Sequence, residues 1–214
     1  MDETSDGSGP VTRVDSVTAT GNDLTDNNTC ASAAGKIGNA ASFITANSES
    51  LTRTSNASLQ TGDIDFTIAG WAWLDSLTPN DEGIVEKWDT AGQREYALVI
   101  ETSRFRFYWS PDGTAISSRE ATTFGNLSIS TWYFFECFHD ATANTINIRI
   151  NNGTADSVAD GGGLVAGTSI FQIGRDGANF LAGRVDELGF WKRLLTTGER
   201  AALYNGGTGL TYPF

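Results

Sequence analysis

GRVDELGFWKRLLTTGERAALYNGG, residues 183–207, passes from a strand-like stretch to a helical one with almost no loop between. Its first half alternates in the two-residue period of a strand. Thr196 and Glu199 then have the Thr-x-x-Glu spacing of a capping box, in which each side chain satisfies a free amide at a helix start. ERAALY supplies helix formers, and Asn205-Gly206 is a plausible stop. The prediction is one short helix that seals an end of a β-structure, with Leu195, Ala202 and Leu203 packed against it. Asp186 and Glu187 are strand neighbours, so alternation sends them to opposite faces and denies them a joint acid–base role.

Working outward, the rest of the chain is strand after strand. FTIAGWAWL places Phe66, Ile68, Gly70, Ala72 and Leu74 on one face and Thr67, Ala69, Trp71 and Trp73 on the other. Both faces are apolar, which predicts a central strand covered on two sides. GIVEKW and EYALVIE follow, and EYALVIE meets RFRFYW across Thr102-Ser103 as a hairpin. In that second strand Phe105, Phe107 and Trp109 lie opposite Arg106 and Tyr108. WYFFECF pairs with TINIRIN, whose Ile146, Ile148 and Ile150 point inward, and Asn151–Gly153 is a tight-turn signal. FQIG and GRVDELGFW close the series. Strands at short intervals with no helix pattern before residue 196 predict an all-β sandwich, read as a single domain over residues 1–214.

The composition fits that reading. The 214 residues include 26 acids against 14 bases, a net charge of -12, which would repel a phosphate backbone and excludes nucleic acid as an expected partner. Spare carboxylates suit either a solvated acidic surface or a hard cation such as calcium. No apolar run approaches the ~20 residues of a membrane span, so membrane insertion is not expected. MDETSDGSGP is no secretory leader. Cys30 and Cys137 are the only cysteines and are expected to be buried thiols, with one bridge as the alternative.

GKIGNAASF, DFTIAGWAW, the NIRINNG hairpin and the long tail from Phe171 to Gly207 together resemble the laminin-G-like, concanavalin A-type jelly-roll family, especially its bacterial and phage surface-protein branch. The most specific match is a Gly-x-Val-Asp-Glu strand followed by an aromatic, Arg-x-Leu and a short helix. Here it runs through Gly183, Val185, Asp186, Glu187, Trp191, Arg193, Leu194, Leu195, Glu199, Leu203 and Tyr204. The resemblance implies a two-sheet antiparallel jelly-roll β-sandwich with one short C-terminal helix. It also implies a first strand whose tail looks like Met1-Asp2-Glu3. The chain is then expected to continue upstream of Met1, or that place in the sheet is left open or filled by a partner. In related jelly rolls a structural calcium is held by the strand aspartate matching Asp186, with carbonyls from near the N-terminus. Asp186 is the first metal candidate and Asp15 and Asp2 the second; the other reading is that Asp186 accepts from amides of the N-terminal loop.

Catalysis finds no support in these residues. Jelly-roll glucanases carry Glu-x-Asp-x-(x)-Glu along one strand face, because residues two apart enter one cleft. Glu82 with Glu86, and Glu136 with Asp140, lack that pattern and read as solvated edge residues. His139, the only histidine, reads as a surface residue at a strand end, and no nucleophile elbow occurs. GGGLVAG lacks a phosphate-loop lysine and reads as a flexible connection. For a ligand, Trp71, Trp73 and Trp132 read as core packing. Trp88 and Trp109, at strand ends, are the expected exposed platforms, with Tyr108 and Arg106 as neighbours. The leading expectation is a non-catalytic module that binds a glycan or surface glycoprotein, extracellular or on a virion surface. The alternative is a structural assembly subunit, a virion decoration, fibre or filament protein, that contacts virion proteins or its own copies.

Overall fold

The computed structural model describes residues 12–17, 21–78, 82–88 and 90–211. The expectation on Met1-Asp2-Glu3, and with it Asp2 as a metal ligand, lies outside the described residues. In chain order the strands are β1 (Thr12–Arg13), β2 (Leu24–Asn27), β3 (Ala31–Ala34), β4 (Asn39–Phe43), β5 (Ser50–Arg53), β6 (Phe66–Leu74), β7 (Glu82–Lys87), β8 (Tyr96–Glu101) and β9 (Arg104–Trp109). They continue with β10 (Ser117–Glu120), β11 (Trp132–Asp140), β12 (Thr145–Ile150), β13 (Asp156–Ala159), β14 (Phe171–Ile173), β15 (Arg175–Asp176), β16 (Asn179–Phe180) and β17 (Gly183–Trp191). One helix, α1 (Thr197–Tyr204), follows.

Two large antiparallel sheets make the sandwich. One runs β1-β2-β5-β14-β7-β8-β9-β10 and the other β13-β12-β11-β6-β17-β4-β3, with β15-β16 as a separate small hairpin. The core between them collects the predicted inward faces, Phe66, Ile68, Ala72 and Leu74 from one sheet against Leu98, Ile100, Phe105 and Phe107 from the other. β8 and β9 join through Thr102 and Ser103, both at positive φ (50° and 63°), the primed turn that matches strand twist. Asn151 and Asn152 (52° and 55°) turn the chain the same way after β12. Cys30 and Cys137 are free and buried.

β17 departs from simple alternation. Its register against β6 slips between Asp186 and Gly189, and Glu187 takes a left-handed φ of 48°. This is a β-bulge, one extra residue that bends the strand and reverses its parity. Val185 faces the core before the bulge, whereas Leu188 and Phe190 do so after it. Gly70 opposite is required by the bulge, since a Cβ there would stand 3.1 Å from Leu188 Cα. The separation of Asp186 from Glu187 therefore comes from a bulge and not from plain strand alternation.

The capping box forms as read. Thr196 accepts from the Glu199 amide at 3.2 Å, and Glu199 accepts from the Thr196 amide at 2.8 Å. Arg193 grips Glu199 through both guanidinium nitrogens (2.8 and 2.6 Å). The helix does not seal an end of the sandwich. It lies flat on the outer face of the seven-stranded sheet, where Leu195 and Leu203 pack on Ala69, Trp71 and Phe134. Tyr204 stacks on Trp71 with ring centroids 5.9 Å apart. That cover explains the two apolar faces of β6: one meets the core and the other meets the helix.

Candidate functional site

The four expected ligand residues do not come together. Trp109 is on the core face of β9 and is 2% exposed, with its indole N–H donated to the Asp160 carbonyl at 2.6 Å. Alternation puts it opposite Tyr108 and Arg106, so it cannot share a surface with them. Trp88 is on the same outer face as Tyr108 (centroids 5.9 Å apart), but it is 8% exposed and lies over Ala97 and Val99 with Arg94 against its ring. Neither tryptophan is the exposed platform expected of it: Trp109 packs into the core between the sheets and Trp88 covers Ala97 and Val99 on the outer face. Tyr108 and Arg106 do remain at the surface, within a ladder of charges. Arg106 spans Glu101 (2.7 Å) and Glu120 (3.0 Å), Arg104 reaches Glu120 at 2.7 Å, and the Tyr108 hydroxyl donates to Glu101 at 2.7 Å. These groups satisfy one another and hold the outer face of β8, β9 and β10 together.

Three tryptophans are half-exposed, Trp73, Trp132 and Trp191, and the first two read as core. Trp73 and Trp132 are direct partners across β6 and β11 on the outer face of the seven-stranded sheet, with ring centroids 5.7 Å apart and planes at 57°. Arg184, opposite Trp73 on β17, sets its guanidinium 5.3 Å from that ring and donates to the Ala34 carbonyl at 3.0 Å. The Trp73 indole N–H donates to Asp75 at 2.8 Å. The result is an aromatic shelf flanked by a cation and a carboxylate. Its exposure follows from lengths. The eight-residue helix reaches about 12 Å and covers Trp71 and Phe134, while the nine-residue strand β6 extends about 30 Å. Alternation already placed Trp73 on the face of Trp71; the reach of the cover was not in the pattern.

A groove of about 560 Å³ opens between the Arg13–Val17 segment and the bulged half of β17, walled by Leu24, Leu59, Ile68, Leu188 and Phe190. Its wall is chiefly apolar, and the charged residues in its lining are Arg13, Asp15, Glu187, Lys192 and Arg193.

Asp186 is fully buried, and three main-chain amides donate to it: Lys36 (2.7 Å) and Ile37 (2.9 Å) to Oδ2, and Glu187 (2.9 Å) to Oδ1. Gly35 makes this approach possible, because a Cβ there would stand 2.6 Å from Oδ2. Burial pushes the Asp186 carboxyl up to about 6, against the pull of the Ile37 and Lys36 amides. Calcium binds among oxygen lone pairs, and N–H groups crowd this carboxylate, so the donor set does not fit calcium. Asp15 accepts from the Val17 amide at 2.9 Å. Among the described residues neither aspartate belongs to a group of three ligand-type side chains. The reading in which Asp186 ties down amides is the one the geometry supports, and its loop is Lys36–Ile37, between β3 and β4.

Of the acids read as solvated edges, Glu82, Glu86 and Glu136 are buried and Asp140 is half-buried. Glu82 and Glu86 are both 0% exposed. A register slip between Gly83 and Val85 puts Glu82 across from Ile100, on the core side, and Glu86 across from Ala97, on the outer side. They cannot meet as an acid and a base. Glu136 is buried against Arg149 at 2.9 Å, and burial pushes its carboxyl up against the pull of that arginine. His139 is likewise fully buried and not a surface residue. A strand end in this sandwich lies beneath crossing loops, which end-of-strand position alone does not reveal.

The laminin-G-type model of the concanavalin A-like lectin/glucanases superfamily matches residues 45–199. No curated protein matches the chain. Among solved structures, the binding domain of Paraclostridial Mosquitocidal Protein 1 superposes with a TM-score of 0.74 at 14% identity, over 92% of this chain and 52% of that one. This chain thus spans about half the length of that toxin domain. Domain 4 of AbnA, an extracellular arabinanase from Geobacillus stearothermophilus solved with arabinotriose, superposes at 0.64 and 16% identity, over 86% and 82% of the two chains. The ligand-binding domain of botulinum neurotoxin serotype D, solved with N-acetylneuraminic acid, gives 0.58 and 13%, over 74% and 40%. At these identities the likeness establishes the jelly-roll fold.

Proposed function

Because the chain belongs to the concanavalin A-like lectin/glucanases superfamily, we propose that it is a non-catalytic carbohydrate-binding module whose contact surface is the Trp73–Trp132 shelf. The observation that carries this is the pair of half-exposed indoles beside Arg184 and Asp75. Aromatic faces take the apolar face of a pyranose or furanose ring, and a few placed polar groups take its hydroxyls. Two similar domains were solved with sugars, arabinotriose and N-acetylneuraminic acid, which supports the class of ligand. A net charge of -12 favours neutral oligosaccharides over polyanionic ones. The setting that suits such a module is a cell or particle surface.

A glycan array followed by tryptophan-fluorescence titration tests this. Binding of a neutral oligosaccharide should quench the emission, and Trp73→Ala with Trp132→Ala should weaken it at least tenfold while the melting temperature changes little. Undiminished binding in the double variant would remove the shelf from the reading. A uniformly negative array with concentration-dependent light scattering, abolished in the same variant, would make the shelf a contact between subunits of an assembly.

A further inference from the structure

The end of the sandwich where β6 begins and β11 finishes carries a cluster that neither the sugar reading nor the fold requires. His139 is on the core face of β11, opposite Phe66 of β6, with no exposed surface. Its Nδ1 is 2.8 Å from the carbonyl oxygen of Ile64, and its Nε2 is 2.9 Å from Asp160 Oδ2 and 3.8 Å from Asp63 Oδ1. The three ligand-type atoms all lie within 4.8 Å of one another.

The Ile64 carbonyl settles the tautomer. A carbonyl only accepts, so Nδ1 carries the hydrogen. A neutral ring then turns the lone pair of Nε2 toward two carboxylates, three acceptors converging on one point. An electrophile has to occupy that point, and it is either a proton or a metal ion. A proton on Nε2 accounts for the contact with Asp160 alone. It leaves Asp63 Oδ1, 3.8 Å from Nε2, as a second acceptor facing the same point. Asp160 is pinned on its other sides: Oδ1 accepts from the Gly162 amide (2.9 Å), its carbonyl accepts from Trp109 (2.6 Å), and its amide donates to Asn144 (3.0 Å). Only Oδ2 is left to face the ring. Gly163, at φ 85°, leaves room for Asp63, since a Cβ there would stand 2.6 Å from the Asp63 carboxyl carbon. The GGGLVAG stretch is thus more than a connection: its first glycines wrap both carboxylates.

We propose that Asp63, His139 and Asp160 form a binding site for a divalent transition metal ion, zinc or manganese, at this end of the sandwich. Metal–nitrogen and metal–oxygen bonds of about 2.0–2.2 Å separate adjacent ligand atoms by about 2.8–3.6 Å at octahedral or tetrahedral angles. The observed 2.9 Å lies within that range and 3.8 Å just beyond it. One imidazole with two carboxylates selects borderline cations over calcium, which takes oxygen alone. The Nδ1–H bond to the Ile64 carbonyl is the outer contact that orients a metal-bound histidine. Entry is from the Asp63 side, whose side chain is 62% exposed, and that side leaves coordination positions to water. The ion would fasten the segment before β6 to the loop after β13. It is independent of the sugar surface.

Metal-stripped full-length protein titrated with Zn²⁺ by calorimetry, and with Co²⁺ by visible absorption, tests the site. The expectation is one equivalent bound at micromolar or tighter Kd, Co²⁺ bands without thiolate charge transfer, and a melting temperature raised by Zn²⁺ or Mn²⁺ but not by Ca²⁺. Asp63→Ala, at an exposed position that leaves the fold intact, should weaken binding at least tenfold, as should Gly163→Ala. Uptake equal in wild type and Asp63→Ala, or no uptake, overturns the proposal. In that case ¹⁵N spectra showing protons on both His139 ring nitrogens would identify a buried imidazolium clamp instead.

Discussion

Glu82 offers a direct test of how this sandwich responds to pH. Its side chain has no exposed surface; Oε2 accepts from the Ala182 amide at 3.3 Å, and Oε1 has no hydrogen-bond partner among the described residues. Burial disfavours the charged carboxylate and pushes it from the ordinary 4.5 up to about 7, against a small pull from the Ala182 amide. At about 1.4 kcal/mol per pH unit, the separation corresponds to about 3 kcal/mol. The folded state holds the proton more tightly than the unfolded chain does, so the folded protein binds more protons between those two values. The contribution is present in full below pH 4.5 and is lost as pH rises through about 7. Glu82→Gln keeps the shape and the acceptor for Ala182 but cannot ionise. Its amide group meets the partnerless corner at every pH, a cost of about 1–3 kcal/mol that does not vary with pH. Urea unfolding followed by tryptophan fluorescence at pH 5 and pH 8 therefore separates the two effects. Relative to wild type, the variant should gain about 2.5 kcal/mol on going from pH 5 to pH 8, with m unchanged. A stability difference that is the same at both pH values would refute the assignment of a buried, proton-holding Glu82.

Two further outcomes follow from packing and from the Asp186 cradle. Leu203→Ala removes the side chain that seats the helix on Trp71 and Phe134 and should cost about 2–4 kcal/mol, read as a lower urea midpoint with altered near-UV dichroism of Trp71; a change below about 0.5 kcal/mol would mean that the helix is not seated there. Asp186→Ala strands the amides of Lys36, Ile37 and Glu187 and should cost about 3 kcal/mol or more, equally with and without added Ca²⁺; a loss that appears only in Ca²⁺ would show that the aspartate is a calcium ligand after all.

The elements of this fold were readable because their signals are local. The Thr196/Glu199 capping box, the β8–β9 hairpin and the alternation of Ile146, Ile148 and Ile150 each depend on a few adjacent residues, and each stands in the structure as read. Even the double apolar face of β6 was visible, though its cover turned out to be the helix. What local pattern misjudged was exposure. Trp88 and Trp109 look peripheral at strand ends but are covered, and Trp73 and Trp132 look central but lie beyond the reach of the helix. Glu82, Glu86 and His139 were misread for the same reason. Strand-end residues of a sandwich are buried or exposed according to which distant loop crosses them.

The longer strands, the single capped helix and the jelly-roll family are legible in the residues, because hydrogen-bonding period and turn chemistry act over a few positions, whereas short strands such as β5, β10 and β13 carry too little alternation to be read. The reversal of β17 at the Glu187 bulge emerges in the packed sandwich. Only there do amides of Lys36 and Ile37 surround Asp186, and only there do Asp63, His139 and Asp160 converge on one point. Those relations join residues 21 to 150 positions apart. They exist only once two sheets have closed on a common core, so no short-range pattern carries them.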